Sequence, residues 1–447
     1  MNKQIIPKFL VLSFAAFLFL SVSGLTCIDR YNICHPELKE PITLTYWRLF
    51  DDSDAFGDLL KEYHELNPRI TIKYKKLAPY EQYEETIINA LAEDRGPDIF
   101  AIQNTWLPRF KDKLAPIPQA KKEKDQIMTF REFQETYPDV AVQDLTIGED
   151  VYALPLSIDT LALYYNKTLL NSAGISVPPK IWKEFQEDVE KLVKRDAKGD
   201  FLYMGAALGT ANNINRAPDI LSLLMIQNGT QMVDQGRFQA AFDSSSGKRA
   251  LLFYTDFANP TKKVYTWNSE QHYSLDAFYE GRLAMMFNYS YHIPTIRAKA
   301  PKLNFGVAKM PQIGDESGNI VSEVNYASYF AEAVSVKSKH QKEAWKFLKW
   351  LSEPAQARRY LDKTGKPPAR RDLVDAYRDK PNLGVFAEQV LTATSWFQPN
   401  NVDIDRYFSE MIEDVVAGRK SVSDAIERAA TQVNLLLLEL RRSQKEK

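Results

Sequence analysis

The chain has 447 residues, with 57 Lys+Arg against 58 Asp+Glu, 45% hydrophobic and 26% charged residues. A net charge of −1 argues against a general nucleic-acid binder, and the composition against disorder, a collagen or a polytopic membrane protein. At roughly 100–200 residues per domain the length indicates two domains or a little more, and 24 Phe, 22 Tyr and 7 Trp hint at an aromatic-lined site.

Lys3 and Lys8 precede an uncharged stretch from Phe9 to Ile28 with the apolar centre FLVLSFAAFLFL, followed by Ser21, Ser23 and Gly24. A basic start, an apolar centre and small residues make this an export signal, long enough to span a bilayer if uncleaved. Residues 1–28 are therefore expected to be a signal peptide or N-terminal membrane anchor, with 29–41 as a spacer. The positive end stays cytoplasmic, which delivers the rest to the periplasm or the outer face of the cytoplasmic membrane. Leu25 and Thr26 before Cys27 match a lipoprotein signal poorly. A Cys27–Cys34 disulfide is chemically permitted in an exported protein, as are two idle thiols. With only His35 nearby they fall short of a four-ligand zinc site.

From residue 42, ITLTYW alternates Ile42, Leu44 and Tyr46 as a half-buried strand does. Phe56, Leu59, Leu60 and Tyr63 then fall at helical spacing up to Asn67-Pro68, Ile70, Ile72 and Tyr74 predict a second strand, and Tyr80, Tyr83, Ile87 and Leu91 a second helix. Gly96-Pro97 and the apolar run DIFAI close the pattern, and strand–helix alternation of this kind predicts an α/β domain with a largely parallel sheet. After Val151, LALYY reads as a strand and PPKIWKEFQEDVEKLV as a helix with Pro just inside its start. Helices dominate from there to about Ala258. Late helix faces are Ala344, Phe347, Leu348 and Leu351, then Ile426, Ala429, Ala430, Val433, Leu437 and Leu440. No internal repeat is present.

Catalytic motifs are scarce. The five histidines are scattered without i, i+4 spacing, and there is no G-x-S-x-G elbow and no P-loop. SSSGK at 244–248 reads as a helix N-cap. Asp52, Asp54 and Gly57 imitate a calcium loop, but Phe56 and Tyr63 occupy ligand positions. No carboxylate pair is singled out for glycoside hydrolysis. Binding is favoured over turnover, with no catalytic residue, metal or cofactor indicated.

Six segments, taken in order, resemble the family 1 extracellular solute-binding proteins of ABC importers, the maltose-binding-protein-like sugar type. They are the strand ending in Trp47 with GPDIF at 96–100, Trp106 and LAPI at 114–117; YALPLSIDTLALYYNKTLLNSAGISVPPKIWKEF at 152–185; FYEGRLAMMFNYSY at 278–291; GVAKMPQ at 306–312; SVKSKHQKEAWKFLKWL at 335–351; and GRKSVSDAIERAATQVNLLL at 418–437. The resemblance implies a two-lobed α/β periplasmic-binding-protein-like fold, each lobe a largely parallel sheet flanked by helices, with three interlobe crossovers. By position, residues 42–152 plus 329–366 would form the first lobe and 158–323 plus 371–447 the second, with hinges near 153–157, 324–328 and 367–370. It further implies a non-enzymatic, monomeric binder that captures a mono- or oligosaccharide, works with importer permease subunits and associates with the membrane through its N-terminal segment.

Carried onto this chain, the resemblance directs Trp47 and Asp51, with Asp52 beside them, at the ligand, against a reading as a buried Trp and N-capping aspartates. Gln103, Asn104 and Trp106 follow the strand where relatives place first-lobe contacts, and Asp159 follows the first crossover. In the second lobe Asn288, Tyr289 and Tyr291 follow GRLAMMF, in a region where this chain has no Trp for stacking. Asn212, Asn213 and Trp396 are further candidates, and Tyr326 is either a contact or a hinge packing residue. Trp182, Trp345 and Trp350 lie among apolar spacings and read as core. Aromatic faces with Asn, Gln and Asp suit a sugar. Arg48 and Arg216 leave an anion open, while Asp51, Asp52 and Asp159 would equally suit a polyamine. An exported glycoside hydrolase and a receptor-coupled sensor domain are the alternatives from other classes.

Overall fold

The computed structural model describes residues 40–77, 82–120, 126–234 and 236–445. The export segment, Cys27, Cys34 and Tyr80 lie outside these residues. Between residues 42 and 103 the elements form as strand Ile42–Arg48, helix Gly57–Leu66, strand Ile70–Lys76, helix Tyr83–Ala92 and strand Ile99–Gln103. Period two decides the first strand: Leu44, Tyr46 and Arg48 are buried on one face and Trp47 is half-buried on the other. Tyr83, Ile87 and Leu91 bury one stripe of their helix. Ile99–Gln103 is buried along almost its whole length, as an apolar run in a covered central strand should be.

The first sheet runs Ile70–Lys76, Ile42–Arg48, Ile99–Gln103, Phe330–Ser335, with Leu114–Ala115 and Ala153–Pro155 both pairing on Phe330–Ser335. The second sheet orders Lys194–Arg195, Phe201–Ala206, Leu283–Asn288, Ala162–Asn166 and Phe305–Ala308. Both sheets are mixed rather than largely parallel. Only the two pairs made by Ile42–Arg48, and Phe201–Ala206 with Leu283–Asn288, are parallel. The reason lies in the crossings, because a strand returning from the other lobe enters its sheet from the hinge end. Phe330–Ser335 accordingly runs against Ile99–Gln103.

Helix Trp182–Leu192 starts after Ile181, so Pro178 and Pro179 precede the helix instead of opening it. Its Trp182, Phe185, Val189 and Leu192 are buried. Asn166 of the YNK motif is an N-cap whose side chain accepts from the Thr168 and Leu169 N–H groups. Ser244 caps helix Ser245–Asp256 in the same way, accepting from Gly247. Trp345 is fully buried, and Trp350 packs on Tyr63 and Phe347.

Two separate hydrophobic cores define two lobes. The core changes between Ile158 and Leu161 and again between Tyr326 and Ala327. The third change differs from the expected 367–370. Ala369, Leu373, Val374 and Tyr377 still pack in the first core, and beyond them Phe386 and Trp396 join the second while Ala387 and Val390 join the first. Arg370 ties this stretch to the first lobe by donating to the Ser352 carbonyl at 2.9 Å. Where the lobes meet, Asp159–Thr160, Asn325–Ser328 and Ala393–Thr394 form a three-stranded sheet, one strand from each crossing. A bridge between Ser157 and Pro368 adds a further tie.

Candidate functional site

Both lobes and the crossings between them line one cavity of about 330 Å³. The first lobe contributes Arg48 at one strand end with Leu49 and Phe50 just beyond it, and Gln103 at another strand end. Ser157, Asp159, Ser328, Tyr329, Phe330 and Lys366 come from the segments at or beside the crossings, and Arg216, Tyr289 and Tyr291 from the second lobe. The cavity thus collects loops beyond the carboxyl ends of strands, where open α/β sheets bind ligands.

Its first-lobe charges are paired within the protein. Buried Arg48 donates to Asp51 and, at 2.7 Å, to the Tyr360 hydroxyl, and its Nε lies 2.9 Å from Glu332. Lys366 donates to the two Asp51 oxygens at 2.6 and 2.7 Å and to Tyr360 at 3.1 Å. Burial alone would raise the Asp51 carboxyl, but Arg48 and Lys366 hold it below the usual carboxylate range. Across the cavity the Arg216 guanidinium donates to the Tyr291 hydroxyl at 3.1 and 2.6 Å and lies over the Tyr289 and Tyr291 rings. Those rings stack at 6.0 Å, and the Tyr289 hydroxyl donates to Asp219 at 2.8 Å. Asp159 accepts from the Ser290 N–H and hydroxyl, and burial, opposed by these bonds, pushes its carboxyl up to about 6.

Of the residues singled out from sequence, Gln103, Asp159, Tyr289 and Tyr291 meet at this cavity, as do Arg48 and Arg216, named there for an anion. Trp106 does not. It is buried between Phe110, stacked at 5.2 Å, and Tyr83, and meets the cavity residue Phe330 edge-on from behind at 6.1 Å, because the short helix it precedes turns the ring back into the first core. Trp47 lies on the opposite sheet face from Arg48, with Lys75 over its ring at 4.9 Å. Asp51 is spent in the buried charge cluster, and Asp52 pairs with Lys76 on the surface. Asn213 uses all its capacity internally: it accepts from Thr210 and Trp267 and donates to the Asn268 and Gln271 carbonyls. The Asn212 N–H donates to Glu413. Asn288 is fully buried, its Oδ1 accepting from the Tyr289 N–H. Tyr326 is buried on the middle hinge strand and accepts from Gln398 at 3.1 Å.

Asn104 and Trp396 belong to a second interlobe cavity, also about 330 Å³, with Gln143, Asp144, Phe238 and Phe397 among its walls. Trp396 stacks on Phe408 at 5.7 Å and donates to Ser222. Asn104 donates to Asp144 at 2.8 Å. Thr105, on the wall of this cavity, and Asn401 exchange side-chain hydrogen bonds of 2.9 and 2.7 Å between the lobes.

Sequence reasoning missed Leu49, Phe50, Ser157, Ser328, Tyr329, Phe330 and Lys366. The crossing segments themselves carried a signal for Ser157 and Ser328–Phe330, since hinge-adjacent residues face the cleft. Phe50 and Lys366 had none, because a turn geometry and a contact across 315 positions place them.

Two lobes with a ligand-sized cavity at their hinge define a protein built to enclose a small solute. The sequence pattern of the family described as bacterial extracellular solute-binding protein matches residues 50–358, and the chain belongs to that family. It is similar to the multiple sugar-binding protein of Streptococcus mutans, 24% identical over 340 residues, 74% of this chain and 76% of the relative. It is also similar to the sn-glycerol-3-phosphate-binding periplasmic protein UgpB of Salmonella typhimurium, 25% identical over 90% of this chain and 94% of the relative. Among solved structures, the cyclic alpha-maltosyl-1,6-maltose binding protein from Arthrobacter globiformis superposes with a TM-score of 0.72 at 21% identity, covering 89% of this chain and 99% of that one.

Proposed function

We propose that this protein captures a neutral carbohydrate between its lobes and passes it, chemically unchanged, to the permease of an ABC importer. The observation that carries this reading is the cavity's mixture. Aromatic rings of Phe50, Phe330 and Tyr291 stand beside hydroxyls and the Asp159 carboxylate, and its cations already have partners. A pyranose needs flat apolar surface for its C–H faces and mixed acceptors and donors for its hydroxyls. The sugar-binding relative in Streptococcus mutans supports the same class. Capture is a population shift in which only contacts made by both lobes favour closure. Export places the protein outside the cytoplasmic membrane, within reach of such a permease.

A second reading, a phosphorylated polyol, draws on Arg48, Arg216 and Lys366 at the same cavity and on the similarity to UgpB. Calorimetric titration with maltotriose, maltose, galactose, sn-glycerol 3-phosphate and putrescine separates the readings, with each sugar recovered and chromatographed afterwards. Saturable binding of an intact sugar supports the proposal. Response to the phosphate or to putrescine alone replaces the solute class, and sugar breakdown replaces binding by hydrolysis.

A further inference from the structure

Phe50 stands 56% exposed at the cavity. Its backbone is left-handed, with φ 71°, and the Asp51 N–H donates to the Leu49 carbonyl at 2.9 Å. A hydrogen bond spanning two residues about a centre at this φ is the rare, strained form of three-residue turn. A bulky side chain there lies outside its ordinary range. Such strain persists only where the surroundings over-determine it, and it concentrates at ligand clamps.

The surroundings here do so on both sides. Arg48 is pinned by Asp51, Tyr360 and Glu332, and its carbonyl accepts from the Leu77 N–H at 2.7 Å. Asp51 is held by Arg48, Lys366 and Tyr360, and its carbonyl accepts from the Tyr74 hydroxyl at 2.6 Å. With both flanks fixed by buried partners, the turn leaves the Phe50 ring at the cavity, where Phe330 meets it edge-on at 5.6 Å. Of the five non-glycine residues with positive φ among the described residues, two line this cavity, Phe50 from the first lobe and Arg216 from the second.

Resting on the carbohydrate reading, we infer that Phe50 is the platform on which an apolar ring face of the solute stacks. The buried Arg48–Asp51–Lys366 cluster positions that platform and does not itself contact the solute's ring. A platform of this kind selects cyclic sugars over open-chain polyols, which present no continuous C–H face.

The test is calorimetry and thermal denaturation of the full chain, carrying Phe50→Gly, Phe50→Tyr, Asp51→Asn and the Phe50→Gly/Asp51→Asn pair. The probes are maltotriose, maltose, galactose and the open-chain sorbitol. Glycine accepts the left-handed turn without strain, so Phe50→Gly is expected to keep or raise the melting temperature. Its sugar affinity should nonetheless fall roughly tenfold or more, the scale of an aromatic contact removed. Phe50→Tyr should stay within about threefold of wild type. Asp51→Asn should weaken binding in the wild-type background but not in Phe50→Gly, because the platform it positions is gone. Wild-type affinity in Phe50→Gly, or sorbitol bound as tightly as the cyclic sugars, overturns the platform. Additive losses in the pair overturn the positioning role. A wild type that binds no sugar overturns the carbohydrate reading and this inference together.

Discussion

Asp159 and Ser290 couple the first crossing strand to the second lobe. The carboxylate accepts the Ser290 N–H at 3.0 and 3.1 Å and its hydroxyl at 2.7 Å. Ser290 lies between Tyr289 and Tyr291, so this contact fixes where two of the cavity's rings stand relative to the hinge.

Asp159 is expected to give binding and stability a shared pH signature. Burial raises its carboxyl to about 6, with the Ser290 bonds opposing. A carboxyl raised in the folded state binds its proton more tightly there than in the unfolded chain. Its contribution to stability is therefore fullest below the unfolded value near 4 and is lost as pH rises through about 6. Asp159→Asn removes this slope, so the melting temperature of the variant relative to wild type should climb between pH 4 and 7. Sugar affinity of the wild type should fall from pH 7 to pH 5 as the acceptor is protonated, and the variant should show no such change.

Trp106→Ala should separate core from cleft. The ring is buried on Phe110 and Tyr83, and removing it costs about 3–5 kcal/mol of stability. Because it reaches the cavity only through Phe330, which it meets edge-on at 6.1 Å, the folded variant should lose far less affinity than stability. A selective loss of binding at full stability would contradict the placement.

Asp144→Ala should loosen the hinge. Asp144 accepts from Asn104 at 2.8 Å, from Tyr329 at 3.0 Å and from Ser395 on the third crossing segment. Stranding buried donors costs about 1–3 kcal/mol each. Denaturant unfolding should show a loss of about 3 kcal/mol or more, and small-angle scattering a changed radius of gyration without ligand.

Salt distinguishes the two solute classes. Binding of a neutral sugar should hold steady between 50 and 500 mM NaCl, a range over which screening shortens to roughly 4 Å. A phosphorylated polyol held by Arg216 and Lys366 should lose affinity over the same range, and Arg216→Gln should flatten that loss.

The fold was legible because its signals are local and periodic. Alternation in Ile42–Arg48, the stripe of Tyr83, Ile87 and Leu91 and the ordered family segments all survive in the structure. Strand direction was not legible, since it depends on which lobe a strand returns from, and the third crossing moved because Arg370 ties its segment to the first lobe. At the site, Gln103, Asp159, Tyr289 and Tyr291 could be found as strand-end and crossover residues. Trp106 misled because its one-letter context gives no sign that the next helix turns it inward. Phe50 was invisible because RLFDD carries no glycine to announce a left-handed turn, and long-range charges impose the turn.

A crystal structure grown with the sugar that titrates most tightly should show that sugar enclosed between the lobes, a ring face against Phe50, Tyr291 on the facing lobe and a hydroxyl donating to Asp159. A sugar seated instead in the Asn104–Trp396 cavity, or on the outer surface with the hinge cavity empty, would contradict this placement.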